Sequence, residues 1–185
     1  MADRIKDGND QMLLENYKII VAPPECLPSE VKVAATIEFD DDLTELLPYL
    51  NAELGPCVFD ADVPFLRLRK DEKLIVINPR TIGIAGLRDE EEAREVFRSL
   101  REAINSVSRR KAEIEPSYWS LSQIKPLEVF KVLPRTNCGE CGKSTCMAFA
   151  AALAGGEIAL DDCPALMDER SATQRQELLK LLGKE

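Results

Sequence analysis

The chain of 185 residues has a formal net charge of −9, with 31% charged and 45% hydrophobic residues, and it contains no histidine. Its length fits one or two small domains, and its acidic balance argues against binding to the phosphate backbone of nucleic acids. The lack of histidine excludes imidazole-dependent acid–base catalysis, Ser-His and Cys-His nucleophile pairs, and zinc sites that need imidazole.

The first predicted elements alternate between extended and helical segments. Residues 1–16 are polar and predict a poorly ordered lead-in. Strands are predicted at 17–21 and 31–39, where β-branched residues are dense. The acids at 40–42 suit the N-terminus of a helix over LTELLPYL, and Pro48 inside that segment predicts that the helix is short or bent.

Four further extended segments follow in quick succession, separated by turn residues. They lie at 57–59, 64–69, 73–78 and 81–86. The segment 88–108 then carries apolar residues at helical spacing, with an acidic first turn and basic residues after its end, as the helix dipole favours. This order predicts an α+β domain over 17–111, in which an antiparallel sheet packs against helices.

Part of this domain resembles one half-repeat of a TATA-binding-protein-like fold. The resemblance is carried by the stretch VKVAATIEF…LPYLNAELGP…PFLRLRKDEKLIVINPRTIGIAGLRDEEEAREVFRSL. The resemblance covers roughly residues 31–105 and rests on element order together with LNA at 50–52 and DEEEA at 89–93. It implies a curved antiparallel sheet against helices. It does not imply DNA binding, because residues 1–133 hold 18 Lys and Arg against 25 Asp and Glu.

The last third of the chain predicts a connector and a small helical domain. Residues 112–133 form the connector, and its end at 126–133 reads as a short helix with proline at the first position. Tyr118 and Trp119 are expected to pin the connector onto the first domain, or alternatively to form an aromatic lid over the cysteine-containing segment that follows. Residues 134–185 follow as the second domain, closed by an amphipathic helix at 171–182.

Four of the six cysteines lie close together in this second domain. A tight loop can bring three thiolates around an inorganic core, and a fourth thiolate from farther along the chain closes the cage. Gly139 and Gly142 let the backbone approach such a core. The four are Cys138, Cys141, Cys146 and Cys163, with the spacing C-x2-C-x4-C-x16-C.

A helix is predicted from Cys146 onward, capped by Ser144 or Thr145 and ended by the glycines at 155 and 156. Its N-terminal dipole end would face the cluster, whose oxidised form with four thiolates carries a charge of about −2. These features predict one 4Fe–4S cluster. Zinc bound by four thiolates is the alternative, but structural zinc sites typically use two short cysteine pairs, and only one C-x2-C pair is present.

The core T-N-C-x-x-C-G-x-x-T-C-M-A-F-A resembles the four-cysteine 4Fe–4S domain of the large subunit of corrinoid iron–sulfur proteins of the acetyl-CoA pathway. The same domain class recurs in the B subunit of Rnf complexes. All four ligand positions match, within residues 133–166. These 185 residues contain no barrel or cobalamin-binding domain, and no D-x-H-x-x-G motif. The resemblance therefore implies the cluster and the pathway, not methyl transfer.

The remaining candidates have ordinary interpretations. Cys26 and Cys57 are expected to be small buried side chains. Glu140 and the acids at 161 and 162 predict a solvated face, or charges that lower the reduction potential of the cluster.

No catalytic constellation is visible, so the chain is not expected to be an enzyme. A four-thiolate cluster has no free iron site, which suits electron transfer. The sequence therefore predicts a low-potential one-electron carrier in an anaerobe, with a redox partner such as a corrinoid or CO dehydrogenase-type enzyme and no nucleic-acid partner. Two alternatives stay open: a binding or assembly module with a structural cluster, and a cluster-delivery protein.

The expected compartment is the cytoplasm. The sequence has no run of 18 apolar residues, so no membrane span is expected, and its polar start lacks the apolar region of a secretory signal. In a reducing compartment, clustered cysteines are more often metal ligands than disulfides.

Overall fold

The computed structural model describes residues 12–22 and 32–183, which form a six-stranded antiparallel sheet with helices, followed by a small helical region. The predicted fold class is therefore confirmed. The strands are β1 (Tyr17–Ala22), β2 (Val33–Phe39), β3 (Val58–Asp60), β4 (Phe65–Lys70), β5 (Lys73–Ile77) and β6 (Thr81–Leu87). The helices are α1 (Leu47–Leu54), α2 (Glu90–Arg109), α3 (Pro126–Val132), α4 (Cys146–Ala154), α5 (Pro164–Met167) and α6 (Ala172–Leu181).

The sheet has the strand order β1-β2-β6-β5-β4-β3, and every neighbouring pair is antiparallel. Helix α2 packs against β1, β2 and β6, and α1 packs against β4. Alternate residues of the strands point into an apolar core that they share with these helices, as side chains of a half-buried strand do. We call it the first core. Its strand and helix members include Ile75, Ile77, Ile82, Ile84, Ala93, Phe97, Leu100 and Ile104.

Helix α1 is short, as predicted, but it begins at Leu47 rather than directly after the acids at 40–42. Pro48 lies in its first turn, where the missing N–H needs no partner. Asp42 instead accepts hydrogen bonds from the amide and hydroxyl of Thr44, at 3.0 and 2.6 Å. The expected helix start was wrong because these acidic side chains stabilise a turn.

Residues 12–16, which the sequence assigned to a poorly ordered lead-in, pack against the first core. Leu14 is completely buried. Its amide donates to Asp41 at 2.8 Å, and the amide of Leu13 donates to the side-chain oxygen of Asn105 at 2.7 Å. Residues 1–11 lie outside the described residues, so for them the lead-in stays a prediction.

A second apolar core lies beside β3 and contains most of the helical region. Helix α3 begins with Pro126 in its first turn, as predicted. Residues 121–133 share this core with the C-terminal helices, and the division into 17–111, 112–133 and 134–185 stays a prediction. Members of the second core include Val58, Leu121, Val129, Leu133, Phe149, Leu153, Leu166 and Leu178.

Two arginines of β4 hold the loop after α4 against the sheet. The Arg67 guanidinium donates to the carbonyl of Gly155, and the Arg69 guanidinium donates to the carbonyl of Glu157 at 2.9 Å. Arg69 Nε also lies 3.3 Å from a carboxylate oxygen of Asp162. Hydrogen bonds from a charged donor are stronger than neutral ones. We call Arg67, Arg69 and the loop 155–157 the arginine clamp.

Replacing Gly156 with alanine should lower the free energy of unfolding by about 2–4 kcal/mol. Gly156 has φ +66°, and a Cβ there would lie 2.9 Å from Cγ2 of Val58, so left-handed strain adds to steric overlap. Urea unfolding followed by circular dichroism measures the loss. Gly183→Ala is the control, because Gly183 has φ +70° and open space around it. Equal losses in the two variants would show that the contact with Val58 contributes nothing.

Candidate metal centre

The first turn of α4 places Cys146 at one side of the candidate centre. The hydroxyl of Thr145 accepts from the amide of Ala148 at 3.1 Å, which confirms one of the two predicted caps. The helix is almost wholly apolar and buries Phe149, Ala150 and Leu153, so its position is determined by the second core. Cys146 is therefore presented from a rigid element, while its side chain remains partly accessible.

The loop before α4 contains four residues in the left-handed region. Gly139 and Gly142 have φ +77° and +75°, which agrees with the predicted need for glycine there. Arg135 and Asn137 also have positive φ, at +57° and +49°. These conformations turn the chain repeatedly, so that Cys138 and Cys141 lie on a tight loop.

Asn137 joins this loop to the helix and was missed by the sequence prediction. Its side-chain oxygen accepts from the amide of Cys146 at 2.8 Å, and its own amide donates to Cys146 Sγ at 3.4 Å. The second contact is of the N–H···S type that tunes iron–sulfur potentials. An asparagine directly before the first cysteine was a usable signal, since asparagine is enriched at positive φ.

All four predicted cysteines line one concavity. Cys138 is exposed, Cys141 and Cys146 are half-buried, and Cys163 is buried with 6% of its surface exposed. Leu133, Phe149 and Ala165 contribute apolar surface, while Thr136, Asn137 and Lys143 are among its polar lining residues. Three thiols thus come from the 138–146 segment and the fourth from the chain before α5, as the spacing predicted.

Cys163 is electrostatically linked to its neighbours in the concavity. Burial raises the pKa of the Cys163 thiol, and Cys141 and Cys146 raise it further. The backbone N–H groups of Leu166 and Ala165 act on that pKa in the opposite direction. Cys163 therefore lies within electrostatic range of two of the other thiols, and its burial opposes conversion to the thiolate form.

The four thiols share a concavity without being grouped tightly enough for one ion. Within residues 12–22 and 32–183, no set of three or more His, Cys, Asp or Glu side chains is placed to hold a single metal ion. The enclosed space among the thiols is about 10 Å³, room for about one water molecule. In the loop that would hold two of the ligands, Cys138, Gly139 and Glu140 are exposed and lie outside both cores. The donor set fits an iron–sulfur cluster.

The acids beside Cys163 both pair with arginines, and the side chain of Asp161 is still 71% exposed, in agreement with the predicted solvated face. Asp161 pairs with Arg175 at 2.9 Å, and Asp162 pairs with Arg69 at 3.3 Å. Asp162 also accepts from the amide of Ala159 at 2.8 Å. Their negative charges are partly compensated, so their expected effect on a reduction potential is reduced.

The other candidates take no part in the concavity. Cys57 is completely buried in the first core, as expected for a small buried side chain, whereas Cys26 lies outside the described residues. The carbonyl of Trp119 accepts from the Asn51 side chain at 2.7 Å, and the Tyr118 ring lies 6.1 Å from that of Phe59. Both aromatic residues therefore contact the sheet domain, and neither lines the concavity.

Residues 133–165 match a family model described as "Putative Fe-S cluster". The chain is 47% identical over 61 residues to the gamma subunit of the acetyl-CoA decarbonylase/synthase complex of Methanothermobacter thermautotrophicus. It is 51% identical over 61 residues to the same subunit of Methanosarcina acetivorans, and 57% identical over 42 residues to the corrinoid/iron-sulfur protein large subunit of Moorella thermoacetica. The C-terminal part of the chain thus shares an Fe–S cluster domain with these subunits.

The aligned region is a minor part of this chain and a still smaller part of each relative. The three alignments cover 33%, 32% and 23% of this chain but only 12%, 13% and 9% of the respective relatives. No solved structure gives a significant match, so the resemblance of the sheet to a TATA-binding-protein half-repeat stays a prediction. Among the described residues, no helix is long and apolar enough to cross a membrane.

Replacing Asn137 should weaken cluster retention. Asn137→Gly keeps the left-handed backbone but removes the acceptor for the Cys146 amide, and one lost hydrogen bond predicts roughly fivefold faster iron loss. Asn137→Ala adds backbone strain, so iron loss should accelerate by more than about tenfold. Iron release to a ferrous chelator under anaerobic conditions measures both rates. Wild-type rates in both variants would exclude this role for Asn137.

Proposed function

We propose that Cys138, Cys141, Cys146 and Cys163 hold one 4Fe–4S cluster, and that the chain is a low-potential one-electron carrier. The observation that carries this proposal is the convergence of four thiols on one concavity within the segment that matches the Fe–S family model. A bound cluster supplies an iron centre that accepts and releases single electrons. The chain contributes the four ligands, the N–H of Asn137 and the apolar surface of Leu133, Phe149 and Ala165.

A protein that carries electrons, rather than an enzyme, agrees best with the lining of the concavity. Four thiolates complete the ligation of a four-iron cluster, so no iron is left for a substrate. The other lining side chains are apolar groups, hydroxyls, one amide and one lysine. None of these is a carboxylate or an imidazole, the usual groups for moving protons on and off a substrate.

The cysteine spacing and the family model favour a cluster over zinc. Structural zinc sites with four thiolates typically use two short cysteine pairs, whereas only Cys138 and Cys141 form such a pair here. The family model that matches this segment is that of an Fe–S cluster.

The proposed partner is a corrinoid or CO-linked enzyme of anaerobic metabolism. This rests on the names of the relatives, a subunit of an acetyl-CoA decarbonylase/synthase complex and a corrinoid/iron-sulfur protein subunit. Because this chain covers only about an eighth of those proteins or less, it would supply the electron-carrying module alone. The α+β domain predicted at 17–111 would provide additional contact surface.

A structural role for the cluster is the second candidate. Its support is the position of Cys163 at the N-terminus of α5, where a cluster would tie the C-terminal helices to the 138–146 loop. Metal binding can supply folding energy in small domains. The arginine clamp and the second core already hold these helices, however, which favours the redox role.

Anaerobic reconstitution should yield about four irons and four sulfides per chain, with an EPR signal from the dithionite-reduced form. Serine in place of Cys146 should reduce the iron content strongly, because a ligand is lost. Cys57→Ala is the control and should retain full iron content, since Cys57 lies in the first core. Stoichiometric zinc without acid-labile sulfide, or a cluster that dithionite cannot reduce, would contradict the proposal. If partner binding survived in Cys146→Ser while redox activity was lost, the interpretation as a binding module would gain instead.

Lys143 should raise the reduction potential of the cluster. Its side chain lines the concavity, and a positive charge near the cluster favours the added electron. Lys143→Gln should lower the midpoint potential by several tens of mV, the effect of one charge at about 10 Å with an effective dielectric near 20. Lys143→Arg keeps the charge and should keep the potential. A redox titration monitored by EPR measures the midpoint potentials of the wild type and the two variants. Identical potentials in all three would exclude an electrostatic role for Lys143.

A further inference from the structure

The candidate centre is open to solvent on one side only. Cys138, Gly139 and Glu140 are exposed, whereas Cys163 is 6% exposed. Electron transfer between proteins weakens steeply as the distance between the two centres grows. A redox partner of the proposed function would therefore approach the centre from the side of Cys138.

Three basic residues lie in or next to the chain segment that lines the concavity. Lys143 lines the concavity, and Arg135 lies between Pro134 and Thr136, which both line it. Lys131 is exposed in the last turn of α3, just before that loop. We call Lys131, Arg135 and Lys143 the basic collar.

The basic collar carries three positive charges, and its nearest carboxylates along the chain are Glu128 on α3 and Glu140 in the loop. Among the described residues, no member of the collar forms an ion pair, and Glu140 is the single acid between 131 and 147. The acids nearest Cys163 in the chain, by contrast, pair with Arg69 and Arg175. The open side is thus locally basic in a chain whose net charge is −9.

Exposed apolar side chains accompany the basic collar. Met147, next to Cys146, is 38% exposed, and Leu127 on α3 is 52% exposed. Methionine and arginine are enriched in protein interfaces, whereas transient redox interfaces are small and rely on charge to guide the encounter. The composition of this surface fits a brief contact with another protein.

We propose that the basic collar docks an acidic protein surface that surrounds the partner's redox centre. This inference rests on the proposed function and adds the charge of the partner. In the docked pair, one electron leaves the reduced cluster and reduces the partner's centre by one electron. No bond forms or breaks, and no proton is required.

The test uses two one-electron acceptors of opposite charge, acidic rubredoxin and basic cytochrome c. Stopped-flow mixing with the dithionite-reduced protein, freed of excess dithionite, gives a rate constant for each. Lys131→Glu and Arg135→Glu should each slow the reaction with rubredoxin about fourfold at low ionic strength, as reversal of one charge near 10 Å in water predicts. The same variants should speed the reaction with cytochrome c, and both effects should vanish in high salt.

Arg98→Glu is the matched control. It changes the net charge by the same amount as the collar variants, but at an exposed position on α2, which packs on the first core. It should leave the ratio of the two rate constants near that of the wild type. Equal effects at Arg98 and Arg135, or no effect at Arg135 and Lys131, would overturn the docking inference while leaving the cluster assignment intact. A cluster that cannot be reduced would overturn both.

A second measurement does not depend on a loaded cluster. Carbodiimide joins a lysine amine to a carboxylate in direct contact, with loss of water, so it maps where rubredoxin sits. Mass spectrometry should find cross-links at Lys131 and Lys143 in excess of those at lysines of the sheet, such as Lys18. Equal yields at Lys18 would count against the proposed surface.

Discussion

The contact between strand β4 and the loop after helix α4 determines where the candidate centre lies. Arg67 and Arg69 bind two carbonyls of that loop, and Gly156 allows the loop to approach Val58 closely. The same arginine, Arg69, pairs with an acid next to Cys163. One strand of the sheet therefore positions the middle and the C-terminal end of the chain segment that separates the third cysteine from the fourth.

The centre draws two thiols from packed elements and two from the loop before α4. Cys146 is fixed by a capped, buried helix, and Cys163 is fixed by the second core. Cys138 and Cys141 lie on a loop whose shape depends on left-handed residues and on the two hydrogen bonds of Asn137. A cluster bound by all four thiols would therefore join this loop to α4 and to the second core.

The net charge of the whole chain is negative, whereas the segment that contains the basic collar is positively charged. The chain has a net charge of −9, whereas the segment 131–147 carries three cations and one acid. The carboxylates near Cys163 are paired, so they weaken this local field little. Local charge at a docking surface governs the encounter of two proteins more directly than net charge does.

The sequence alone determined the fold class, most strands, helix α2 and the four cysteines as one set, because these depend on local periodicity and on ligand spacing. It did not reveal that Leu14 is buried, that Asp42 stabilises a turn, or that Asn137 binds Cys146. Each of these depends on a partner brought near by folding, and spacing along the chain carries no record of it. Tertiary structure likewise decided that Arg67 and Arg69 hold the α4 loop, since those residues lie 88 positions from their partners.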